Sequence, residues 1–241
     1  MTCQDCTTQC SSLSNAERRA RWHSRMWWLL PIVIGLGWVY PVVGVVVPFC
    51  WIGALVLASF RGRVWCDYMC PRAGLHDHVV TRVRRSRTVP AFFKHPAVRL
   101  GVLAFFMSVL AIRLPAVWGD WAAVGGVFVF LLTATTIASV LMGIGLHQRA
   151  WCTICPAGTM ANWIGRGKGP ALRMDHGACT DCGACAAVCP LDLRPHDQLR
   201  SGSTPPADCL KCGLCVDRCP KDALALGARD KAPGETMREA G

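Results

Sequence analysis

The sequence predicts an α-helical membrane protein, four transmembrane helices arranged as two hairpins, followed by a small α+β domain rich in cysteine. Three observations predict it. Residues 26–60 and 122–146 contain no charged side chain, and apolar stretches longer than about 18 residues belong in a bilayer. The 26 basic residues fall into blocks around those stretches. Most of the 16 cysteines lie at the ends of the apolar runs and in the last third of the chain.

As one helix, residues 26–60 would reach about 52 Å, far beyond a hydrocarbon core of about 30 Å. Two spans with a turn near Tyr40 to Gly44 fit better, with Pro41 ending the first. A shorter run, residues 100–112, extends into a third span through Ala97, Val98 and residues 114–117, and residues 122–146 supply the fourth. Arg18, Arg19, Arg21 and Arg25 precede the first span, a basic block from Arg61 to Arg99 separates the hairpins, and another begins at Arg149. Only Arg113 is left for the opposite side. The positive-inside rule then puts all three blocks in the cytoplasm, which requires an even number of spans and places both termini inside. The first apolar run is too long for the h-region of a cleavable leader, and a cysteine-containing segment precedes it. Every cysteine but Cys50 falls on the reducing side, so metal ligation explains them better than disulfides. The net charge of +11 does not signal nucleic acid, because the excess sits beside the bilayer.

The last third writes one pattern twice: Cys179-x2-Cys182-x2-Cys185-x3-Cys189-Pro190, then Cys209-x2-Cys212-x2-Cys215-x3-Cys219-Pro220. This is the spacing of bacterial ferredoxins carrying two [4Fe–4S] clusters, in which the fourth cysteine of each motif ligates the other cluster. The expected ligand sets are therefore Cys179, Cys182, Cys185 and Cys219 for one cluster, and Cys209, Cys212, Cys215 and Cys189 for the second. Zinc knuckles pair two cysteines and do not call for a third at the same spacing followed by Cys-Pro.

A second duplication closes each hairpin. Arg63-Val64-Trp65-Cys66-x3-Cys70-Pro71 follows the first, and Arg149-Ala150-Trp151-Cys152-x2-Cys155-Pro156 the second. A tandem repeat of two spans plus Arg-x-Trp-Cys…Cys-Pro would place both pairs at one depth. Four thiolates there suffice for a third cluster or another thiolate-bound metal. Arg63 and Arg149 read either as counter-charges to such a cluster or as headgroup anchors, and Trp65 and Trp151 as interfacial aromatics.

Over residues 22–226 these features resemble the membrane-bound ferredoxin-type 4Fe–4S proteins of bacterial respiratory chains. That group includes the membrane subunit of the quinol dehydrogenase serving periplasmic nitrate reductase, the methylamine-utilisation ferredoxin-type protein, and the membrane half of the nitrous-oxide reductase regulator. Cys66-x3-Cys70-Pro71 matches that family's spacing, whereas Cys152-x2-Cys155 is one residue short. The resemblance implies electron transfer between the quinone pool and a redox partner or reductase complex, at the bacterial inner membrane. It does not fix the direction of flow. A membrane cupric or metal reductase for metalloenzyme assembly, and an iron–sulfur redox sensor, are the other readings.

The remaining segments are less informative. Cys3, Cys6 and Cys10 form a polar N-terminal segment (residues 1–21) that reads as a metal site or as exposed thiols. Cys50 reads as a small buried apolar residue. His76, His78 and His147 read as solvated interfacial side chains, since none lies inside a span. The membrane domain covers 22–164, Gly165 to Gly169 form a linker (165–170) without a dinucleotide fingerprint, the dicluster domain covers 171–227, and residues 228–241 read as a disordered tail.

Overall fold

The computed structural model describes residues 14–81, 88–201 and 208–227. Cys3, Cys6 and Cys10 and the tail lie outside the described residues.

The chain enters through α1 (Asn15–Met26), whose start is fixed by a capping box: the Ser14 hydroxyl accepts from the Glu17 N–H, and the Glu17 carboxylate from the Ser14 N–H. After a turn at Trp27 and Trp28 comes α2 (Leu29–Val39). Tyr40 breaks it with φ −123° and ψ 87°, a 3₁₀ turn covers Pro41–Val45, and α3 (Val46–Arg61) runs back. This turn lies against the start of the last long helix. A Cβ on Gly44 would run into the Gly125 carbonyl, and a Cβ on Gly125 into that of Pro41. Only glycine permits the approach.

The second hairpin pairs α7 (Pro96–Ala116) with α8 (Trp121–Gly145), after the short α6 (Ala91–Lys94). Asp120 caps α8 by accepting from the Ala122 and Ala123 N–H groups. The bundle turns its large apolar side chains outward, among them Phe49, Ile52, Phe60, Phe105, Ile112, Phe130 and Leu141. Small or hydroxyl residues such as Ala54, Ala58, Thr136 and Ser139 face inward. That inversion of a water-soluble fold suits lipid as the solvent. Trp38, Tyr40, Trp118 and Trp121 ring the two hairpin turns, exposed in the manner of an interfacial belt.

Among the described residues, three helical segments are long and apolar enough to cross a membrane: Pro41–Arg61, Pro96–Ala116 and Trp121–Gly145. The expectation of four such spans is met only in part. The first limb is divided, because the arginine-rich α1 turns aside at Trp27 and leaves α2 about 16 Å long at 1.5 Å per residue. Cys50 is exposed on the outer face of α3 rather than buried.

At the end opposite the aromatic belt the two hairpins close alike. Arg63 precedes α4 (Val64–Tyr68), and Cys70 stands in extended conformation before Pro71 opens α5 (Pro71–Leu75). Arg149 likewise precedes α9 (Ala150–Ile154), and Cys155 stands before Pro156 opens α10 (Pro156–Ile164). Proline at the first helical position needs no hydrogen-bond partner for its nitrogen. One turn of π-helix (His76–Val80) continues α5. The connection that follows α10 is packed rather than a free spacer: a Cβ on Gly165 would come within 2.7 Å of Gly62 Cα.

The cysteine-rich lobe closes with β1 (Ala171–Met174) antiparallel to β2 (Leu224–Gly227), Ala171 opposite Gly227 and Met174 opposite Leu224. Between them lie α11 (Ala184–Ala187), α12 (Pro195–Arg200) and α13 (Leu214–Asp217). Leu172, Met174, Cys185, Leu199 and Leu224 form its core. The lobe is held to α1 by Asp217, which accepts from Asn15 Nδ2 at 2.7 Å and the Ala16 N–H at 3.0 Å.

Candidate metal centres

The two motifs of the lobe fold alike, residue for residue. Asp181 and Lys211 adopt φ of 58° and 57°, Gly183 and Gly213 follow at 70° and 80°, and Asp192 and Asp222 come after the Cys-Pro pairs at 52° and 47°. These left-handed residues coil each loop tightly, so that its N–H groups turn toward its sulfurs. The Lys211 N–H reaches Cys209 Sγ at 3.4 Å, and those of Leu191 and Leu193 act on Cys189.

Each loop opens on a cavity. One, of about 370 Å³ including its mouth, is lined by Cys179, Cys182, Cys185 and Cys219. The other, of about 450 Å³, is lined by Cys189, Cys209, Cys212 and Cys215. Each thus brings together three cysteines of one motif with the last cysteine of the other, around walls that are otherwise mostly apolar. Burial pushes the Cys212 thiol up to about 12 and Cys215 further still. Sulfurs that resist ionisation alone are deprotonated by a coordinated cation, so the donor set and the cavities fit iron–sulfur clusters.

The membrane-surface cysteines sit just below the second cavity. Cys66 and Cys152 pack with Cys189 against Leu191, Leu210 and Cys212. Burial raises Cys66 to about 11 and Cys152 to about 12, against the pull of Arg63 and Arg149 respectively. Each of the two also feels both Cys70 and Cys155 electrostatically, so thiols from both repeats share one neighbourhood. Four half-buried thiols beside two guanidiniums again fit a thiolate-bound metal centre.

The repeat arginines reach across to each other's half, and neither is a headgroup anchor. Arg63 Nη2 donates to the Cys152 carbonyl at 3.2 Å, and Arg63 Nη1 meets Asp208 at 3.0 Å. Asp208 also takes a bidentate pair from Arg99 at 2.8 and 2.6 Å and a bond from Asn162 at 3.1 Å. Arg149 has no exposed side-chain surface; it meets Asp77 at 3.0 and 2.7 Å and Asp67 at 3.2 Å. Arg19 pairs with both carboxylates, and the two His23 ring nitrogens face Asp77 at 3.0 Å and the Asp67 carbonyl at 2.7 Å. Burial alone would raise the Asp77 carboxyl, but Arg149, His23 and Arg19 hold it well below the usual carboxylate range. The same acids hold the Arg149 proton more tightly than usual, despite its burial.

Asp67, Asp77 and Asp208 were not foreseen from the sequence. Asp67 and Asp77 carried a signal, being the only acids in the basic block from Arg61 to Arg99. Three aromatic residues also differ from expectation. His76 is fully buried, with Nε2 2.8 Å from Ser139 Oγ, and burial with Arg149 and Arg72 nearby lowers it to about 4. His147 is buried as well, its Nδ1 accepting from the Arg149 N–H at 3.1 Å. Trp151 lies inside, edge-on to Phe106, with Arg72 5.8 Å from its ring centre. In each case a packed neighbour from the other hairpin or the following segment excludes the water that adjacency to a span would allow.

Toward the outside, Cys182 is exposed and Cys185 Sγ lies 3.4 Å from His196 Nδ1. Asp181 pairs there with Arg200 at 3.2 Å, and His196 Nε2 stands 3.2 Å from Asp197.

Comparison with known proteins matches these parts. A 4Fe–4S binding domain matches residues 43–90 and again 123–172, once per hairpin unit, and a 4Fe–4S dicluster domain matches residues 171–220. Protein RdxA of Cereibacter sphaeroides is 28% identical over 61% of this chain and 40% of its own length. The methylamine utilization ferredoxin-type protein MauN of Methylobacillus flagellatus is 25% identical over 58% of this chain and 53% of its own. The uncharacterized protein MJ0749 of Methanocaldococcus jannaschii is 25% identical over 74% and 70%. The match therefore spans less than half of RdxA and about half of MauN. No solved structure matches.

Proposed function

Because the chain is a ferredoxin-type 4Fe–4S protein, we propose that it is a membrane-anchored carrier passing single electrons between the quinone pool and a redox partner. The observation that carries this reading is the cluster of Leu191, Leu210 and Cys212, against which Cys189 of the inner cavity and Cys66 and Cys152 of the two hairpins all pack. It makes three thiol groups consecutive: Cys179, Cys182, Cys185 and Cys219 outermost, Cys189, Cys209, Cys212 and Cys215 next, and Cys66, Cys70, Cys152 and Cys155 at the bilayer. Each [4Fe–4S] cluster so held supplies one-electron chemistry.

The protein's part is to fix distances and environment. The carboxylate of Asp208 clamps the lobe to both hairpins through Arg63 and Arg99. The Asp67–Asp77–Arg149–Arg19 network locks the two Cys-Pro motifs and α1 into one body. Backbone N–H groups directed at Cys189 and Cys209 favour the more negative form of a cluster, while burial opposes it. The short α2 returns the first hairpin as the fourth crossing while α1 lies on the cysteine side, with both hairpin turns on the far side and the cysteines and both termini on the cytoplasmic side of the bacterial inner membrane. The basic side chains support this orientation.

Iron and acid-labile sulfide counting after anaerobic purification tests the assignment. About twelve irons per chain are expected, falling to about eight in Cys66→Ser/Cys152→Ser. About eight in both proteins removes the membrane-surface cluster, and zinc in place of iron removes the reading. Reduction of the clusters by quinol in proteoliposomes without copper tests the electron source.

A further inference from the structure

Resting on the carrier reading above, we infer that a cavity inside the membrane bundle is the binding site for the head group of a lipid-soluble quinone. The cavity lies between α3, α7 and α8, and its space including the open mouth is about 470 Å³. Trp51, Phe106 and Phe128 give it aromatic walls, and Arg72, Trp151 and Cys155 also line it. It therefore touches a cysteine assigned to the membrane-surface centre.

Its polar groups are few and incompletely used. Arg72 Nη2 donates to Thr135 Oγ1 at 2.8 Å and Thr136 Oγ1 at 3.3 Å, and both hydroxyls are already bonded to carbonyls of their own helix. Among the described residues no carboxylate pairs with Arg72. Arg72 Nε and Trp151 Nε1 are buried without a hydrogen-bond partner there, and Trp151 is only 7% exposed. A cation and an indole N–H beside an apolar cavity are costly unless something accepts from them. An acyl chain offers no acceptor. A quinone offers carbonyl oxygens for the donors, a flat ring for the aromatic walls, and an isoprenoid tail that remains in lipid. Its position against Cys155 is where a partner in electron exchange belongs.

The test uses the full chain, purified with its clusters in lipid nanodiscs, and equilibrium binding of two probes: a ubiquinone analogue with one isoprene unit and the matching menaquinone analogue. Arg72→Gln removes the cationic donor, Trp151→Phe removes only the N–H, and Leu110→Trp fills the cavity from α7, far in sequence from any cysteine. At least one probe should bind the wild type, weakened about tenfold by Arg72→Gln and by Leu110→Trp and several-fold by Trp151→Phe, at unchanged iron content. If the wild type binds a quinone and all three variants bind it equally, the site is elsewhere while the carrier reading survives. If neither probe binds and quinol leaves the clusters oxidised, the carrier reading fails and takes the site with it. If phosphatidylglycerol competes with the probe at the same site, the cavity belongs to an anionic headgroup and the inference is overturned.

Discussion

The cage of Cys179, Cys182, Cys185 and Cys219 and that of Cys189, Cys209, Cys212 and Cys215 share the same left-handed turns, but they face different media. The outer cage has an exposed cysteine, half-exposed Asp181 and Asp197, and a histidine against one sulfur. The inner cage is closed by Leu191 and Leu210, backed by Cys66 and Cys152, and carries Lys211 where the outer one carries Asp181. Identical ligand spacing thus leaves room for two different jobs. The outer cage is open to solvent, while the inner one is closed into the body it forms with the two hairpins, as the proposed relay requires. The buried ion pairs lie on the inner side, Arg63 and Arg99 on Asp208 and Arg149 on Asp67 and Asp77.

Breaking those ion pairs should produce the largest effect. Asp208→Ala leaves Arg63 and Arg99 buried without their shared carboxylate, a loss that typically costs about 3–5 kcal/mol. Thermal bleaching of the cluster absorbance should move to lower temperature, and EPR should show the inner centre lost before the outer one. The matching change on the outer side, Arg200→Ala, removes a half-exposed pair with Asp181 and should cost about 0.5 kcal/mol or less. Equal destabilisation by the two substitutions would erase the distinction between clamp and surface.

The asymmetry between the cages was largely hidden in the sequence, although the cages themselves were not. Ligand spacing is a local property, so eight cysteines announce two loops and the Arg-x-Trp-Cys…Cys-Pro repeat announces two equivalent hairpin ends. Partners of buried charges are not local. Asp67 and Asp77 lie ten residues apart and meet Arg149 from the other repeat, and Asp208 meets Arg63 from 145 residues away. A rule that counts bases beside apolar runs orients the protein but cannot see that some of those bases are consumed internally. Arg149 and Arg63 were open to a headgroup reading for that reason, and His76 was read as wet because the Ser139 and Gly143 face that covers it belongs to α8. The division of the first limb at Trp27 has the same origin: α1 follows Asp67, Asp77 and Asp217 instead of continuing along the bilayer normal.

Acid should loosen the framework beneath the inner cage. His76 is held near 4 in the folded protein and would titrate near 6.5 when unfolded. Its folded value is depressed, so the stability tied to its neutral form is complete above pH 6.5 and is lost as pH falls toward 4. Between pH 7.5 and pH 5 the loss amounts to about 2 kcal/mol. Asp77, also depressed, adds stability that persists to lower pH and disappears only below the ordinary carboxylate range. Calorimetric melting at both pH values, with His76→Gln as the comparison, checks the window. A slope that survives in His76→Gln would assign it to other groups.

The smallest effect concerns the reduction potentials. Positive charge near a cluster favours its reduced, more negative form, and negative charge opposes it. The Lys211 charge acts on Cys209 and Asp181 lines the outer cavity, so on these two charges the inner centre is expected at the higher potential and should take a single added electron first. Asp181→Asn should raise the outer potential, and Lys211→Gln should lower the inner one. Asp181 is half exposed and Lys211 partly exposed, so each shift should be on the order of 10 mV, a fraction of the 59 mV that corresponds to a tenfold change for one electron. EPR-monitored redox titration of the wild type and both variants resolves shifts of that size when the two signals are followed together. Because the substitutions act in opposite directions on different centres, they should narrow the gap from both sides. A wild type whose outer centre fills first, or two variants that move the same signal, would mean that burial and N–H donation outweigh the nearby charges in setting the order of the relay.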